Sequence, residues 1–249
     1  MLKGCVMDMK VIIVSGGSKG LGKGIVEDLL NHDCIVATYS RSKTKFIEDM
    51  EKGEFSNRFV WESVEGTDFE TLTSFALKIF KKYGRIDGLI NNVGMAVEGI
   101  LTLMNPFDID QLISLNLKSP IFLTQTCAKY MLQQRRGRII NISSIIGIRG
   151  HSGVSVYSST KSALDGFTRS LARELGSRNI CVNAIAPGYM DTDMGAMLGE
   201  EKRKQIIRRT PLKRLGRVED IVGMVRFLLS KDAEFITGQT FIVDGGLTC

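Results

Sequence analysis

The chain has 249 residues, of which 43% are hydrophobic, and this suits one large α/β domain or two small ones with a buried core. Two histidines and five cysteines without a Cys-x-x-Cys spacing predict neither a zinc site nor another metal site, and no disulfide framework. The net charge of +6 without an aromatic or Cys/His motif argues against nucleic acid as a partner, and no apolar run is long enough for a membrane span or leader, so we expect a cytoplasmic protein.

Apolar runs of strand length alternate with amphipathic stretches along the whole chain. The predicted strands are 11–15, 34–38, 58–61, 88–91, 137–143, 179–185 and 240–243. The predicted helices are about 20–31, 68–83, 107–134, 155–177 and 217–230. This alternation predicts a doubly wound α/β fold with a parallel sheet of about seven strands, helices on both faces and a single domain over 1–249. The polar segment 190–215 is predicted to be a helical lid over a cleft.

A glycine-rich turn lies between the first predicted strand and the first predicted helix. Its spacing is Gly-xxx-Gly-x-Gly, not the commoner Gly-x-Gly-xx-Gly. Glycines allow the backbone to approach a pyrophosphate, and a helix N-terminus supplies amide hydrogens. We therefore predict a dinucleotide site, with contacts from Gly16, Ser18, Lys19, Gly20, Leu21 and Gly22.

The end of the second predicted strand indicates which dinucleotide binds. Arg41 follows this strand, and no Asp or Glu stands there to bind the ribose hydroxyls of NAD. Arg41 by itself is also compatible with an exposed loop residue. Together with Lys19 it favours NADP(H) over NAD(H), because two cations attract the additional phosphate.

Tyr157 and Lys161 are four residues apart in a predicted helix and therefore lie on one face. A lysine cation beside a phenol favours the phenolate and lowers its pKa, which would suit the pair to acid/base chemistry. The same spacing also occurs where a tyrosine packs and a lysine reaches solvent. The neighbouring motifs decide between the two readings.

Five motifs in order and spacing resemble the short-chain dehydrogenase/reductase family. They are the glycine turn, Asn91-Asn92-Val93-Gly94, Ser144, Tyr157-xxx-Lys161 and Pro187-Gly188. The resemblance covers nearly the whole chain. It implies a Rossmann-type single domain, usually a homotetramer, that transfers hydride between a nicotinamide and a carbonyl or alcohol carbon.

The resemblance also implies roles for four residues. Tyr157 would be the general acid in reduction, and Lys161 would hold the nicotinamide ribose. Ser144, thirteen residues before Tyr157, would hydrogen-bond the carbonyl oxygen, with Ser143 as a rival. Asn116 matches the residue that positions a proton-relay water.

Further cofactor contacts are implied beside the fourth and sixth strands, at Asn92, Val93, Gly94, Pro187, Gly188, Met190 and Thr192. After the third strand, Ser63 stands where the family usually has an Asp beside adenine, followed by Val64 and an apparent insertion, Glu65-Gly66. Asp68 is predicted to be the N-cap of the next helix.

Within the family, the segments around 170–175, 186–188, 191–194, 211–216 and 236–239 are most similar to 3-oxoacyl-acyl-carrier-protein reductases. Arg135 and Arg178 fall where those enzymes carry basic residues that dock the acidic carrier, although a solvated arginine needs no partner. Three functions stay open. The first is reduction of 3-oxoacyl thioesters in fatty acid synthesis. The second is action on a sugar, polyol, steroid or secondary-metabolite carbonyl, with a pocket shaped by Met194, Met197, Leu198 and His151, and the third is NADP-binding regulation without turnover. Enoyl reduction is not expected, because related enoyl reductases separate Tyr and Lys by a longer interval.

Overall fold

A computed structural model describes residues 9–192 and 199–249. The strands are β1 (Lys10–Ser15), β2 (Cys34–Ser40), β3 (Phe59–Ser63), β4 (Gly88–Asn91), β5 (Gly137–Ile142), β6 (Ile180–Pro187) and β7 (Thr240–Val243). The helices are α1 (Gly20–Asn31), α2 (Lys45–Lys52), α3 (Phe69–Tyr83), α4 (Pro106–Ile113), α5 (Ser119–Gln134), α6 (Ile145–Arg149), α7 (Ser155–Leu175), α8 (Glu200–Arg209) and α9 (Val218–Leu229). A π-helical turn (Ser114–Lys118) joins α4 to α5, and short 3₁₀ turns cover Leu101–Leu103 and Gly176–Arg178.

The seven strands form one sheet in the order β3-β2-β1-β4-β5-β6-β7, and every neighbouring pair is parallel. This confirms the predicted doubly wound α/β fold. The chain reverses its direction of travel across the sheet between β1 and β4. In such sheets ligands bind at this reversal, outside the carboxyl ends of the strands.

The sheet is buried between two helical layers. Along β1, Val11 and Ile13 face one apolar cluster with α3, α5 and α7, whereas Ile12 and Val14 face the other with α1, α2 and α9. Successive side chains of a strand point to opposite faces, so a strand covered on both faces is apolar throughout. This explains why the strands were recognisable as continuous apolar runs.

Local signals fix the ends of the longer helices. The Asp68 side chain accepts a hydrogen bond from Thr71 N at 3.0 Å, which confirms the predicted N-cap of α3. The helix ends at Gly84, whose φ of 72° is in the left-handed region that favours glycine.

Two parts of the helical prediction differ from the structure. The predicted helix 107–134 is interrupted by the π turn, which the apolar period does not reveal. The short helices α2 and α6 were not predicted, since α2 buries only Ile47 and α6 has five residues. Part of the predicted lid, including Met194, Met197 and Leu198, lies outside the described residues, as does Cys5.

The described cysteines Cys34, Cys127, Cys181 and Cys249 are free thiols. Within 9–192 and 199–249, no helix is both long and apolar enough to cross a membrane.

Candidate active site

A cleft of about 850 Å³ lies at the carboxyl ends of the central strands. Among the residues predicted to form the site, all but Asn116 and Ser63 line it. Those that line it are Gly16, Ser18, Lys19, Gly20, Leu21, Gly22, Arg41, Val64, Asn92, Val93, Gly94, Ser144, Tyr157, Lys161, Pro187, Gly188, Met190 and Thr192.

The glycine turn at one end of the cleft fits a dinucleotide pyrophosphate. Gly16 and Gly20 have φ values of 70° and 51°, which side-chain-bearing residues rarely adopt. A Cβ on Gly22 would collide with the Gly16 carbonyl. The first turn of α1 has no side-chain cap and no acidic residue, so its amide hydrogens remain available to an anion.

Asn92 holds this turn in place. Its Nδ2 donates to Ser15 O at 2.9 Å and to Gly16 O at 3.3 Å. The Ser15 hydroxyl in turn accepts from the backbone amides of Asn92 and Val93, at 2.8 and 2.9 Å. The side chain of Asn92 is therefore used to connect the end of β4 to the glycine turn.

The end of the cleft with the glycine turn also carries exposed positive charge. Arg41 and Lys19 both line it, and the segment Ser40-Arg41-Ser42 after β2 contains no acidic residue. The two cations that the sequence suggested as phosphate ligands therefore line the same cleft.

Ser63 does not line the cleft. Its hydroxyl donates to Arg41 O at 2.9 Å, at the exposed end of β3. The chain turns after β3, and Val64, Glu65 and Gly66 face the cleft. From the sequence, Glu65-Gly66 was interpreted as an insertion, and no cofactor contact was predicted for Glu65.

Tyr157 and Lys161 lie together on α7, with the Lys161 Nζ 5.8 Å from the centre of the Tyr157 ring. Lys161 is 4% exposed, and its Nζ donates to Ile142 O at 2.8 Å. The Lys161 ammonium is thus held between the Tyr157 ring and the carboxyl end of β5.

The structure distinguishes the two rival serines. The Ser144 side chain lies beside the Tyr157 hydroxyl, where it opposes the rise in the pKa of Tyr157, and it also caps α6 by accepting from Ile146 N at 3.2 Å. Ser143 instead donates to Lys161 O at 3.3 Å. Only Ser144 therefore acts directly on the Tyr157 hydroxyl.

Asn116 is fully buried in the π turn, just behind the cleft. Its Oδ1 accepts from Met95 N and its Nδ2 donates to Met95 O, both at 2.8 Å, with a further bond to Thr160 Oγ1 at 3.3 Å. A Cβ on Gly94 would lie 3.3 Å from Asn116 Oδ1 and 3.5 Å from Lys161 Nζ. The glycine therefore leaves a small space that both polar groups border.

Burial determines the pKa of both ionisable groups. It raises the pKa of Tyr157 above its ordinary value, while the hydrogen bond from Ser144 opposes the rise. It lowers the pKa of Lys161 to about 8, and the charge of Asp165 opposes this fall. That Lys161 lowers the pKa of Tyr157 stays a prediction, because the shift seen here comes from burial, Ser144 and Tyr189.

The loop after β6 forms the wall next to Tyr157. Gly188 N donates to Val243 O at 2.9 Å, and a Cβ on Gly188 would lie 2.8 Å from Asp244 Cα. Gly216 N donates to Tyr189 O at 2.9 Å, and Asp191 N donates to Gly216 O at 2.8 Å. These bonds fix the backbone of Pro187–Thr192 along the cleft.

The mouth of the cleft combines apolar and charged groups. Phe107, His151 and Tyr189 line it together with Glu98 and Lys202, which form an ion pair at 2.9 Å. Lys202 belongs to α8, whose base is also held by a 2.9 Å ion pair between Arg203 and Asp191. Among these, His151 was predicted from the sequence to shape the pocket, and Asp191, Lys202 and Arg203 lie within the predicted lid segment 190–215.

Arg135 and Arg178 are exposed but far from this cleft within one chain. Arg135 ends α5 with a φ of 53°, immediately before β5, and Arg178 ends the turn before β6. Both therefore lie at the amino ends of the strands, whereas the cleft lies at the carboxyl ends. The 21 residues of α7 separate the ends by about 30 Å.

No group of His, Cys, Asp and Glu that could hold a metal ion occurs within the described part of the chain.

Comparison with known proteins supports one family. The model of a family described as enoyl-(acyl carrier protein) reductase matches residues 16–248. The chain is 34% identical over 242 residues to a 3-oxoacyl-[acyl-carrier-protein] reductase of Thermotoga maritima. The matched region covers 97% of this chain and 98% of the relative. It is 37% identical over 243 residues to nodulation protein G of Azospirillum brasilense, with coverage of 97% and 99%.

Solved structures of related proteins have the same fold over nearly the whole chain. ElxO with NADP bound has a TM-score of 0.90 and 31% identity, covering 96% of this chain and 98% of ElxO. A double mutant of a Serratia marcescens short-chain dehydrogenase/reductase gives the same TM-score, identity and coverage.

Proposed function

Because the chain belongs to the short-chain dehydrogenase/reductase family of oxidoreductases, we propose that it uses NADPH to reduce a ketone to a secondary alcohol. We propose a 3-oxoacyl group on acyl carrier protein as the substrate and cytoplasmic fatty acid synthesis as the setting. The observation that carries the proposal is the convergence of Ser144, Tyr157 and Lys161 at the floor of a cleft whose opposite end holds Arg41 and Lys19.

The proposed cofactor is NADP(H), which the relative ElxO also binds. The uncapped N-terminus of α1 would hold the pyrophosphate, and Arg41 with Lys19 would hold the 2′-phosphate. Glu65 can accept a hydrogen bond from the adenine amino group, and the loop from Pro187 would flank the nicotinamide. Bound in this way, the cofactor supplies the hydride.

Tyr157 is proposed to give its proton to the carbonyl oxygen as that oxygen becomes an alcohol. Its raised pKa keeps the phenol protonated until charge develops on the substrate. Ser144 would donate to the same oxygen and lower the energy of the developing alkoxide. Lys161 would bind the ribose and offset negative charge. Asn116, across the space at Gly94, would order a water that returns the proton.

We propose that α8 is part of a substrate lid. Its Lys202 borders the cleft and reaches Glu98 on the opposite rim. Both side chains are partly exposed, so this pair contributes little stability and opens at small cost. Rearrangement of the pair would admit a substrate to Tyr157.

Docking of the carrier at Arg135 and Arg178 requires a second chain. The two arginines lie about 30 Å along α7 from the cleft of their own chain, too far to guide a carrier into it. We therefore propose a homotetramer in which these arginines border a neighbouring cleft. Exposed apolar residues on α5, on α9, in the segment after α9 and on the edge strand β7 support association; these are Phe122, Leu132, Phe227, Phe235 and Ile242.

A second candidate is reduction of a small polar ketone, such as a sugar or polyol derivative. The charged side chains Glu98, Asp108 and Lys202 in the substrate half of the cleft favour it. These groups would hydrogen-bond hydroxyls that an acyl chain lacks.

Steady-state oxidation of NADPH with acetoacetyl thioesters distinguishes the candidates. We expect turnover with acetoacetyl-acyl carrier protein and, with a higher KM, with acetoacetyl-coenzyme A. Turnover with NADH should be at least tenfold less efficient. Turnover of polyol-derived ketones with no activity on either thioester would favour the second candidate.

A further inference from the structure

Behind Lys161, one helical turn further along α7, lies a buried carboxylate that the proposed reaction does not use. Asp165 is 6% exposed and stands at i+4 from Lys161 and i+8 from Tyr157, on the same face of the helix. We propose that Asp165 is a positioning residue that keeps Lys161 protonated at the working pH. The inference rests on the proposed role of Lys161.

The carboxylate is held by the edge strand and lies beside the turn after β5. Thr240 of β7 donates its hydroxyl to Asp165 Oδ1 at 3.2 Å, and the Ser143 side chain, just after β5, opposes the rise that burial causes in the pKa of the carboxyl group. Ser143 in turn donates to the backbone oxygen of Lys161. Asp165 is therefore fixed relative to Lys161 through both the helix and the sheet.

The surroundings of Lys161 provide a single charged neighbour within the described residues. The π turn presents the neutral Asn116, β5 presents the Ile142 carbonyl, and α7 presents the Tyr157 phenol, itself faced by the Tyr189 phenol. Asp165 is the charged group that raises the pKa of Lys161.

The surroundings of Asp165 show that its charge is not committed elsewhere in the sheet. The hydroxyls of Ser143, just after β5, and of Thr240 in β7 face it, and α7 presents the cations Arg169 and Lys161. Burial raises the pKa of Asp165, and the charges of Arg169 and Lys161 oppose this rise. Arg169 is exposed to water, whereas Lys161 is buried beside the proposed site.

The negative charge of Asp165 matters because burial lowers the pKa of Lys161 to about 8. Below that pH the ammonium is present, and above it the ammonium is lost. Removing the negative charge of Asp165 removes an interaction that favours the ammonium, so the loss moves to lower pH. The result would be a neutral Lys161 at a pH where the native enzyme still has the cation.

The test is an NMR titration of ligand-free protein labelled with ¹³Cε-lysine, in which Lys161→Arg identifies the Lys161 resonance. We expect a midpoint near pH 8 in the native protein and a midpoint lower by about one unit in Asp165→Asn, because a buried charge is screened less than one at the surface. Thr240→Val removes the hydrogen bond but keeps the charge, and it should leave the midpoint within about 0.3 unit, well below the shift from a lost charge.

Equal midpoints in native and Asp165→Asn protein would overturn the proposal, as would an equal shift in Thr240→Val. If Asp165→Asn does not fold, Asp165→Ser is a smaller uncharged replacement that can still bond Thr240, and the same outcomes apply. The titration needs no substrate, so a wrong proposal for the substrate would leave its result unaffected. With an active substrate, the alkaline limb of kcat/KM should shift in parallel with the midpoint.

Discussion

The Ser144 side chain acts on the Tyr157 hydroxyl and opposes the rise in its pKa, although Ser144 caps α6 just after β5 and Tyr157 lies in the first turn of α7, thirteen positions later. The contact exists because β5 and α7 both deliver their ends to the edge of the sheet that carries the cleft. A substrate oxygen placed beside this pair would meet two hydroxyl donors. This relationship, together with Lys161, makes the cleft suited to protonate a carbonyl.

The alkaline limit of activity should reflect Lys161. Burial lowers the pKa of Lys161 to about 8 and raises that of Tyr157, so the lysine loses its proton first as the pH rises. We expect kcat/KM to fall with a midpoint near pH 8. A pH profile of NADPH oxidation checks this, and a profile that stays flat to pH 10 would assign the limit to the phenol instead.

Selectivity for NADPH should depend on Arg41. Arg41→Ala removes a charge-assisted bond to the 2′-phosphate, and we expect KM for NADPH to rise about 10- to 100-fold, with little change for NADH. The matched control is Lys43→Ala, two residues away, whose charge is paired with Glu51 at 2.6 Å. If both variants weaken NADPH binding equally, general positive charge rather than Arg41 selects the cofactor.

Gly22→Ala should disrupt the glycine turn, since the added Cβ would meet the backbone carbonyl of Gly16. Dinucleotide affinity, measured by quenching or transfer of NADPH fluorescence, should fall by at least tenfold. Gly176→Ala serves as the control, because nothing lies within 4 Å of a Cβ there. Native affinity in the Gly22 variant would mean that the turn adapts and that close approach at this point is not required.

Carrier docking can be tested by reversing charge far from the cleft. Arg135→Glu combined with Arg178→Glu should raise KM for acetoacetyl-acyl carrier protein by about tenfold or more and leave KM for acetoacetyl-coenzyme A nearly unchanged. Light scattering should give a tetramer for the native and the variant protein. A monomer that is active on the carrier substrate would contradict docking in trans.

Much of this arrangement could be predicted from the sequence because its signals are local. The apolar runs give the strands, the glycines mark the turn before α1, and the spacing from Ser144 to Lys161 points to one site. The π turn around Asn116 could not be predicted, since apolar periodicity carries no record of a changed hydrogen-bond register. The position of Arg135 at the opposite edge required the order of the strands, and the pKa of Tyr157 required its burial.

The most direct test of the central claim is single-turnover reduction by protein preloaded with NADPH, comparing native enzyme with Tyr157→Phe on an acetoacetyl thioester. The phenylalanine keeps the ring beside Lys161 but cannot give a proton. We predict a rate lower by about 10²- to 10⁴-fold with unchanged affinity for NADPH. A native rate in Tyr157→Phe would contradict the assignment of Tyr157 as the proton donor.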